Sequence, residues 1–362
     1  MTARNVVAID LALQGGGSHG AFTWGVLDRL LEEDWIQIEA VSGTSAGAMN
    51  ACALVEGLAR GGPDAARAKL RAYWTAVARA GLFSPIQRSP LDRMMGRWSL
   101  EFSPSFHFYR NVLSRISPYV LNPFSVNPLR DVVRDVFDFD AINACTSAKL
   151  FIAATNVRTG RRKVFRQPKI SAEAVLASAC LPYLSHAVEI DGDAYWDGGF
   201  MGNPPLFPLV DETNARDLMI IWINPFERPQ LPLTAFEIED RLNEIVFNGS
   251  LIEELRALGF LAEIIREENL ERDAYREINL HCIDAEAEMR QLGASSKLNA
   301  EWAFFDHLHK LGRRTADNWM TRHGNDLGAR TTFRPYFVFE ESLRPAHLRG
   351  GTRRPREVDP AK

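Results

Sequence analysis

Ser45 stands at the centre of Gly43-Thr44-Ser45-Ala46-Gly47. A serine hydroxyl becomes a nucleophile when a base takes its proton and when it is presented on a tight strand-to-helix turn. Gly43, Thr44, Ala46 and Gly47 are small enough to allow that bend, and a helix starting beyond it aims amide N–H groups and a positive dipole at the developing alkoxide. The candidate base is Asp197, in Tyr195-Trp196-Asp197-Gly198-Gly199, with Asn203-Pro204-Pro205 following. A lone Asp-Gly-Gly is a turn; beside a serine elbow it offers a carboxylate. Gly15-Gly16-Gly17-Ser18-His19-Gly20 is a second glycine turn, whose unobstructed N–H groups can surround an oxyanion.

That turn has a competing reading. Gly15, Gly17 and Gly20 also satisfy G-x-G-x-x-G, and Glu39 follows Gly15 by 24 residues, near the end of an expected strand where a ribose-binding acid belongs. A dinucleotide site, however, has no need of a serine elbow on the next strand. A Ser-Asp-His triad is the enzymatic alternative. His281 follows Ser45 and Asp197 in the chain order of α/β-hydrolases, but it falls inside an expected strand, and only 44 residues precede Ser45. His186, close to the Asp197 block, is a further candidate. His307 and His309 point to different faces of a helix and form no metal pair.

Apolar residues from Val6 to Leu13 end at Gln14-Gly15, which predicts a buried strand entering the glycine turn. Phe22, Val26, Leu27, Leu30 and Leu31 recur at helical spacing over 20–33. Ile36 to Val41 predicts a second strand and 45–58 a helix of small residues, ended by Gly61-Gly62-Pro63. Further strands are expected at 150–156, 163–165, 218–224 and 278–283, and helices at 172–179, 235–270 and 297–320. Alternating strand and helix favour an α/β fold with a mostly parallel sheet covered on both faces. Residues 91–129 differ: prolines break them, and Trp98, Phe102, Phe106, Phe108, Tyr109, Tyr119 and Phe124 give an aromatic-rich insertion that reads as a lid or as a satellite core.

The blocks at 15–20, 43–47 and 197–199, with Ala177-Ser178-Ala179-Cys180-Leu181-Pro182 before the last, resemble the patatin-like phospholipase family over roughly residues 6 to 225. The resemblance implies a three-layer α/β/α sandwich and a Ser45–Asp197 dyad cleaving lipid acyl esters through an acyl-enzyme. Gly15, Gly16 and Gly17 would form the oxyanion hole and Gly20, Gly198 and Gly199 would support the turns, with no metal and no cofactor. His19 departs from the family, whose turn usually carries Lys or Arg there. A neutral imidazole would hold an anion less well, so the departure bears on substrate preference. A non-catalytic lipid- or dinucleotide-binding protein on the same scaffold is the other alternative.

This reading divides the chain into a catalytic domain at 1–230, with the 91–129 insertion, a mainly helical C-terminal extension at 231–343, and a mobile tail at 344–362. Its 42 Lys and Arg against 46 Asp and Glu, net −4, disfavour a nucleic-acid partner. Four cysteines far apart, at 52, 145, 180 and 282, disfavour a disulfide scaffold or zinc site and suit a reducing compartment. Neither a secretion signal nor a spanning helix is evident. The expectation is a cytoplasmic protein that touches membrane peripherally through the aromatic insertion, with basic attraction from Arg349, Arg353, Arg354 and Arg356.

Overall fold

The computed structural model describes residues 4–113, 116–267 and 277–335. Among the described residues, eight strands form one sheet: β1 (Val7–Leu13), β2 (Ile36–Gly43), β3 (Lys149–Asn156), β4 (Arg162–Arg166), β5 (Val188–Ile190), β6 (Asp193–Asp197), β7 (Asp217–Trp222) and β8 (Asn279–Asp284). Their order is β5-β6-β3-β2-β1-β7-β8, with β4 also paired to β3. The strands from β3 across to β8 run parallel; β4, β5 and β6 pair antiparallel.

Period-two alternation divides the core into two clusters, one on each face. Ile9, Leu11, Leu13, Val41, Ile152, Met219 and Ile221 pack with α1 (Gly20–Leu30), α2 (Ala46–Gly81) and the helix Trp302–His323. Ala12, Ala40, Phe151, Leu218, Ile220 and Trp222 pack with Leu206 and Leu209 and with Leu251, Leu255 and Leu258 of the helix Ala235–Glu267. Helices thus cover both faces of a mostly parallel sheet, giving the expected α/β/α sandwich. Strands buried on both sides read as continuous apolar runs, which is why β1, β3 and β7 were visible without alternation.

One expectation needs correction, and two features go beyond what the sequence reading stated. Gly61-Gly62-Pro63 breaks α2 but does not end it: Gly62 takes φ 75°, and the helix resumes to Gly81. Proline is favoured in the first turn of a helix as well as just beyond its end, and the resumed half buries Ala66, Leu70, Tyr73 and Trp74. The hairpin β5–β6 was not anticipated. Its two-residue loop is Asp191-Gly192, both at positive φ (53° and 84°), and Ile190 pairs Asp193 across it. Finally, the insertion is partly helical, with Pro90–Met94, Pro104–Leu113 and Pro118–Leu121. Its aromatic side chains divide between packed and exposed. Phe106 is buried and Trp98 stacks on Phe304, whereas Phe108 is 72% and Phe124 88% exposed.

Beyond residue 230 the chain adds β8 to the sheet and lays Trp302–His323 against α1. The expected mobile tail at 344–362 lies outside the described residues.

Candidate active site

Sheet register gathers the candidate residues into one row. Gly43, the last residue of β2, pairs Leu13 on one side and Ile152 on the other. Two residues further along each strand, Ser45 is therefore level with Gly15 and Ala154. Ala154 pairs Asp197 of β6. Residues far apart in the chain thus meet because the strands end together and the Asp191-Gly192 hairpin returns β6 along β3.

Ser45 adopts φ 54° and ψ −123°, a positive φ that costs a β-carbon residue on the order of 1–3 kcal/mol. The surroundings enforce it. Thr44 is buried and donates from Oγ1 to the Gly202 carbonyl (2.6 Å), while the Ser45 N–H donates to Ser178 Oγ (2.9 Å). Glycine is obligatory beside it, since a Cβ on Gly47 would lie 2.1 Å from the Leu13 carbonyl oxygen. One on Gly15 would lie 2.8 Å from Ser45 Cβ. α2 starts at Ala46, which puts Ser45 at the positive end of the helix dipole; in its first turn the Gly47 N–H donates to the Thr44 carbonyl (2.8 Å).

The Asp197 carboxyl is buried, within hydrogen-bonding reach of the Ser45 side chain, and accepts from the Gly199 N–H at 2.7 Å. Burial pushes its pKa up to about 7, against the opposing pull of those two bonds. The backbone of Asp197 is fixed as well: its N–H donates to Cys180 O (2.7 Å), and its carbonyl accepts from Thr155 Oγ1 (2.8 Å). A carboxyl that ionises near neutrality suits the removal of a proton from a hydroxyl better than an ordinary aspartate does.

The glycine turn differs from expectation in one respect. The Gly15 N–H already donates to Asn203 Oδ1 (2.7 Å), so it is not turned toward a substrate oxygen. The Gly15 carbonyl accepts from Asn224 Nδ2 (2.7 Å). Among the described residues, the Gly16 and Gly17 amides carry no hydrogen bond. Asn203, Ser178 and Asn224 were not singled out in the sequence, although the first two sit in its motif blocks. Asn224, at the end of a strand with no motif around it, gave no signal.

The rival constellations come apart. His281 is buried on β8, three strands away from β2, with Nε2 bonded to Asp217 Oδ1 (2.9 Å) and Nδ1 to Thr332 Oγ1 (2.8 Å). Both ring nitrogens are occupied, so it completes no triad with Ser45. His186 stacks on Tyr119 and bonds the Pro118 carbonyl through Nε2 (3.2 Å). Glu39 sits at a bulge within β2, not at its end, and accepts from the Asn214 N–H (2.7 Å), which leaves it ill placed to hold a ribose. His19 bonds Ser296 Oγ through Nε2 (2.7 Å), and burial holds its pKa well below the ordinary value. Among the described residues, no three His, Cys, Asp or Glu side chains are grouped to hold a metal, and no helix is long and apolar enough to cross a membrane. A cavity of about 730 Å³ lies elsewhere, between Phe106, Phe236 and paired arginines and carboxylates, and neither Ser45 nor Asp197 lines it.

Comparison with known proteins finds similarities in sequence and in fold. A Caenorhabditis elegans protein, patatin-like phospholipase domain-containing protein ZK370.4, is 26% identical over 260 residues; the match takes in 65% of this chain and 17% of that protein. The chain therefore spans less than a fifth of that relative. Among solved structures, VipD from Legionella pneumophila matches at 16% identity with a TM-score of 0.36, over 86% of this chain and 68% of its own. ExoU, solved with SpcU from the type III secretion system of Pseudomonas aeruginosa, matches at 16% identity with a TM-score of 0.29, over 93% and 76%. Scores that low add nothing about chemistry. The model of the Patatin-like phospholipase family matches residues 11–210. That span begins within β1 and ends beyond the Asp197 turn, taking in every strand that builds the Ser45–Asp197 row, and the chain belongs to the patatin-like phospholipase family.

Proposed function

We propose that the chain is a serine acyl hydrolase of lipid esters, working through Ser45 and Asp197. Ser45 Oγ bonds to the ester carbonyl carbon as Asp197 accepts its proton, and the Gly16 and Gly17 N–H groups, with the first turn of α2, stabilise the oxyanion. Collapse of the tetrahedral intermediate breaks the carbon–oxygen bond, and Asp197 returns the proton to the departing alcohol. Water, deprotonated by the same carboxylate, then releases the acid and restores Ser45. No metal or organic cofactor enters this scheme. The observation that supports it most directly is a strained, half-buried serine beside a buried aspartate whose pKa lies about 7.

A fluorophosphonate probe and p-nitrophenyl esters of graded chain length test the reading, followed by a panel of phospholipids, lysophospholipids and glycerides. Wild type should label at Ser45 and cleave esters; Ser45→Ala should lose labelling and turnover together, by on the order of 10⁴-fold or more. Equal turnover in the variant would end the proposal.

The lipid would be met at a membrane surface. Phe102, Phe108, Tyr119, Val120 and Phe124 are exposed on the insertion, and Ile238, Leu242 and Ile245 form an exposed stripe on the helix Ala235–Glu267. That helix also carries Phe247, which packs on Phe200 beside the Asp197 turn. Exposed apolar side chains this numerous suit shallow insertion among acyl chains. Replacing Phe108, Val120 and Phe124 by serine should cut sedimentation with phosphatidylcholine–phosphatidylserine liposomes by roughly tenfold or more, about 1.5 kcal/mol or more of lost apolar transfer. Hydrolysis of a soluble short-chain ester should be unchanged. Undiminished sedimentation would remove the insertion from the docking surface.

A further inference from the structure

We infer that Lys297 and Asn224 are positioning residues for the oxyanion site: the lysine orients the asparagine, and the asparagine sets the direction of the Gly16 N–H. The inference rests on the acyl-transfer reading above and adds to it two residues from outside the family-matched span.

Lys297 lies in the short 3₁₀ segment Ala294–Leu298, against the glycine turn: a Cβ on Gly17 would lie 2.6 Å from the Lys297 carbonyl oxygen. Its Nζ donates to Asn224 Oδ1 at 2.8 Å. An ammonium group has donors only, so it can face the oxygen of the Asn224 amide and not the nitrogen. The Asn224 Nδ2 must then turn the other way, and there it donates to the Gly15 carbonyl at 2.7 Å. The main chain of Asn224 cannot rotate to compensate. Its N–H and that of Ile223 both donate to Gln14 Oε1 at 2.9 Å, and Gln14 Nε2 is itself bonded to Asn248 Oδ1 at 2.8 Å.

The Gly15 carbonyl and the Gly16 N–H belong to one planar trans peptide and point in opposite directions. A bond that fixes the first therefore fixes the second, and Asn203, on the Gly15 N–H, holds the preceding peptide. Glycine needs such external bracing because no side chain of its own limits the turn. The chain of donors also has a polarity. A positive charge on the asparagine oxygen strengthens the amide as a donor, which draws electron density toward the Gly15 oxygen and makes the Gly16 N–H a better partner for a negative oxygen. Glu244, Asp240 and Arg228 are the charged groups that act on Lys297 from the neighbouring elements. Residue 19 supplies no cation to the turn, because the buried His19 ring is neutral there.

The test compares Lys297→Met, Lys297→Arg and Asn224→Asp with wild type on one p-nitrophenyl ester, measuring kcat, KM, melting temperature and inhibition by an alkyl boronic acid, which mimics the tetrahedral adduct. Lys297→Met should lower kcat by about tenfold or more, a fraction of the 10²–10³ lost with an oxyanion donor itself. KM should stay within about twofold, and the boronate should weaken in proportion to kcat. Lys297→Arg should recover most of the loss. Asn224→Asp turns the Lys297 hydrogen bond into an ion pair but leaves the Gly15 carbonyl only the long contact from Asn203 Nδ2 (3.5 Å), so it should lose kcat even where Lys297→Met fails to fold. Unchanged kcat and boronate affinity in folded Lys297→Met or Asn224→Asp would overturn the inference, as would a lowered melting temperature with an unaltered boronate ratio. A wild-type protein that cleaves no ester and takes no probe would instead refute the underlying hydrolase reading.

Discussion

Asp197→Asn should all but abolish ester turnover and, at pH 8, leave a protein more stable than wild type. The first half follows from the loss of a general base, worth roughly 10²–10⁴ in rate. The second follows from the direction of the pKa shift. An unfolded aspartate ionises near 3.9, whereas the buried Asp197 carboxyl ionises at about 7, so between those values the folded chain holds a proton the unfolded chain has lost. Wild-type stability therefore falls as pH rises through that window, the reverse of a salt-bridged aspartate, and levels off above it. The full penalty is on the order of 4 kcal/mol. Asparagine has no charge to bury, and its carbonyl oxygen can still accept from the Gly199 N–H. Urea unfolding at pH 5 and pH 8 should show the advantage of the variant widening by about 2–3 kcal/mol between them. The same ionisation should govern activity: kcat/KM of wild type should rise about tenfold per pH unit on the acid side and flatten above about 7. A stability difference independent of pH, with a rate profile that bends near 4, would mean that Asp197 sits in water and does not work as the base described.

How much of this was legible depends on where the information resides. Apolar runs and glycine turns are local, and they gave β1, β2, β3, β7 and β8 and the elbow at Ser45. The motif blocks placed Asp197 as well, although the strand that delivers it went unseen. β6 carries Asp193 and Asp197 among its five residues, and β5 has three, too short and too polar for periodicity to register. Asp191-Gly192 between Val188-Glu189-Ile190 and Ala194-Tyr195-Trp196 was a hairpin signal that could have been used. The braces were less accessible. Asn203 and Asn224 clamp opposite sides of Gly15 from 188 and 209 residues away, and an asparagine says nothing about its partner until the strands are in register. The same holds for Gly15, whose amide looked available because nothing local occupies it.

The region after residue 230 read as an appendage, and its packing gives the second large expectation: Gly312→Val should unfold the whole chain. Gly312 on the helix Trp302–His323 and Gly25 on α1 face one another at the crossing. A Cβ on Gly312 would stand 2.1 Å from the Phe22 carbonyl oxygen, and one on Gly25 2.0 Å from that of His309. Neither obstacle is a side chain that can swing away; both are helix backbone. Separating the helices would also pull Phe304, Phe305 and Leu308 from the cluster they share with β1 and α2, and displace α1, which starts directly after the glycine turn. Overpacking at backbone contact distance, together with lost core contact, should exceed about 4 kcal/mol. Arg313, one position along, pairs with Asp28 and Glu32 at the helix surface. Its replacement by alanine should cost no more than about 1 kcal/mol, because partly solvated pairs contribute little. Urea midpoints of the two variants separate packing from charge at the same interface. For the same reason residues 1–230 expressed alone should not fold, since they leave the edge of β7 and the apolar face of α1 bare. A Gly312→Val protein that melts like wild type and still turns over ester would show that the C-terminal helix is dispensable to the catalytic sheet, and with it the route by which Lys297 reaches the glycine turn.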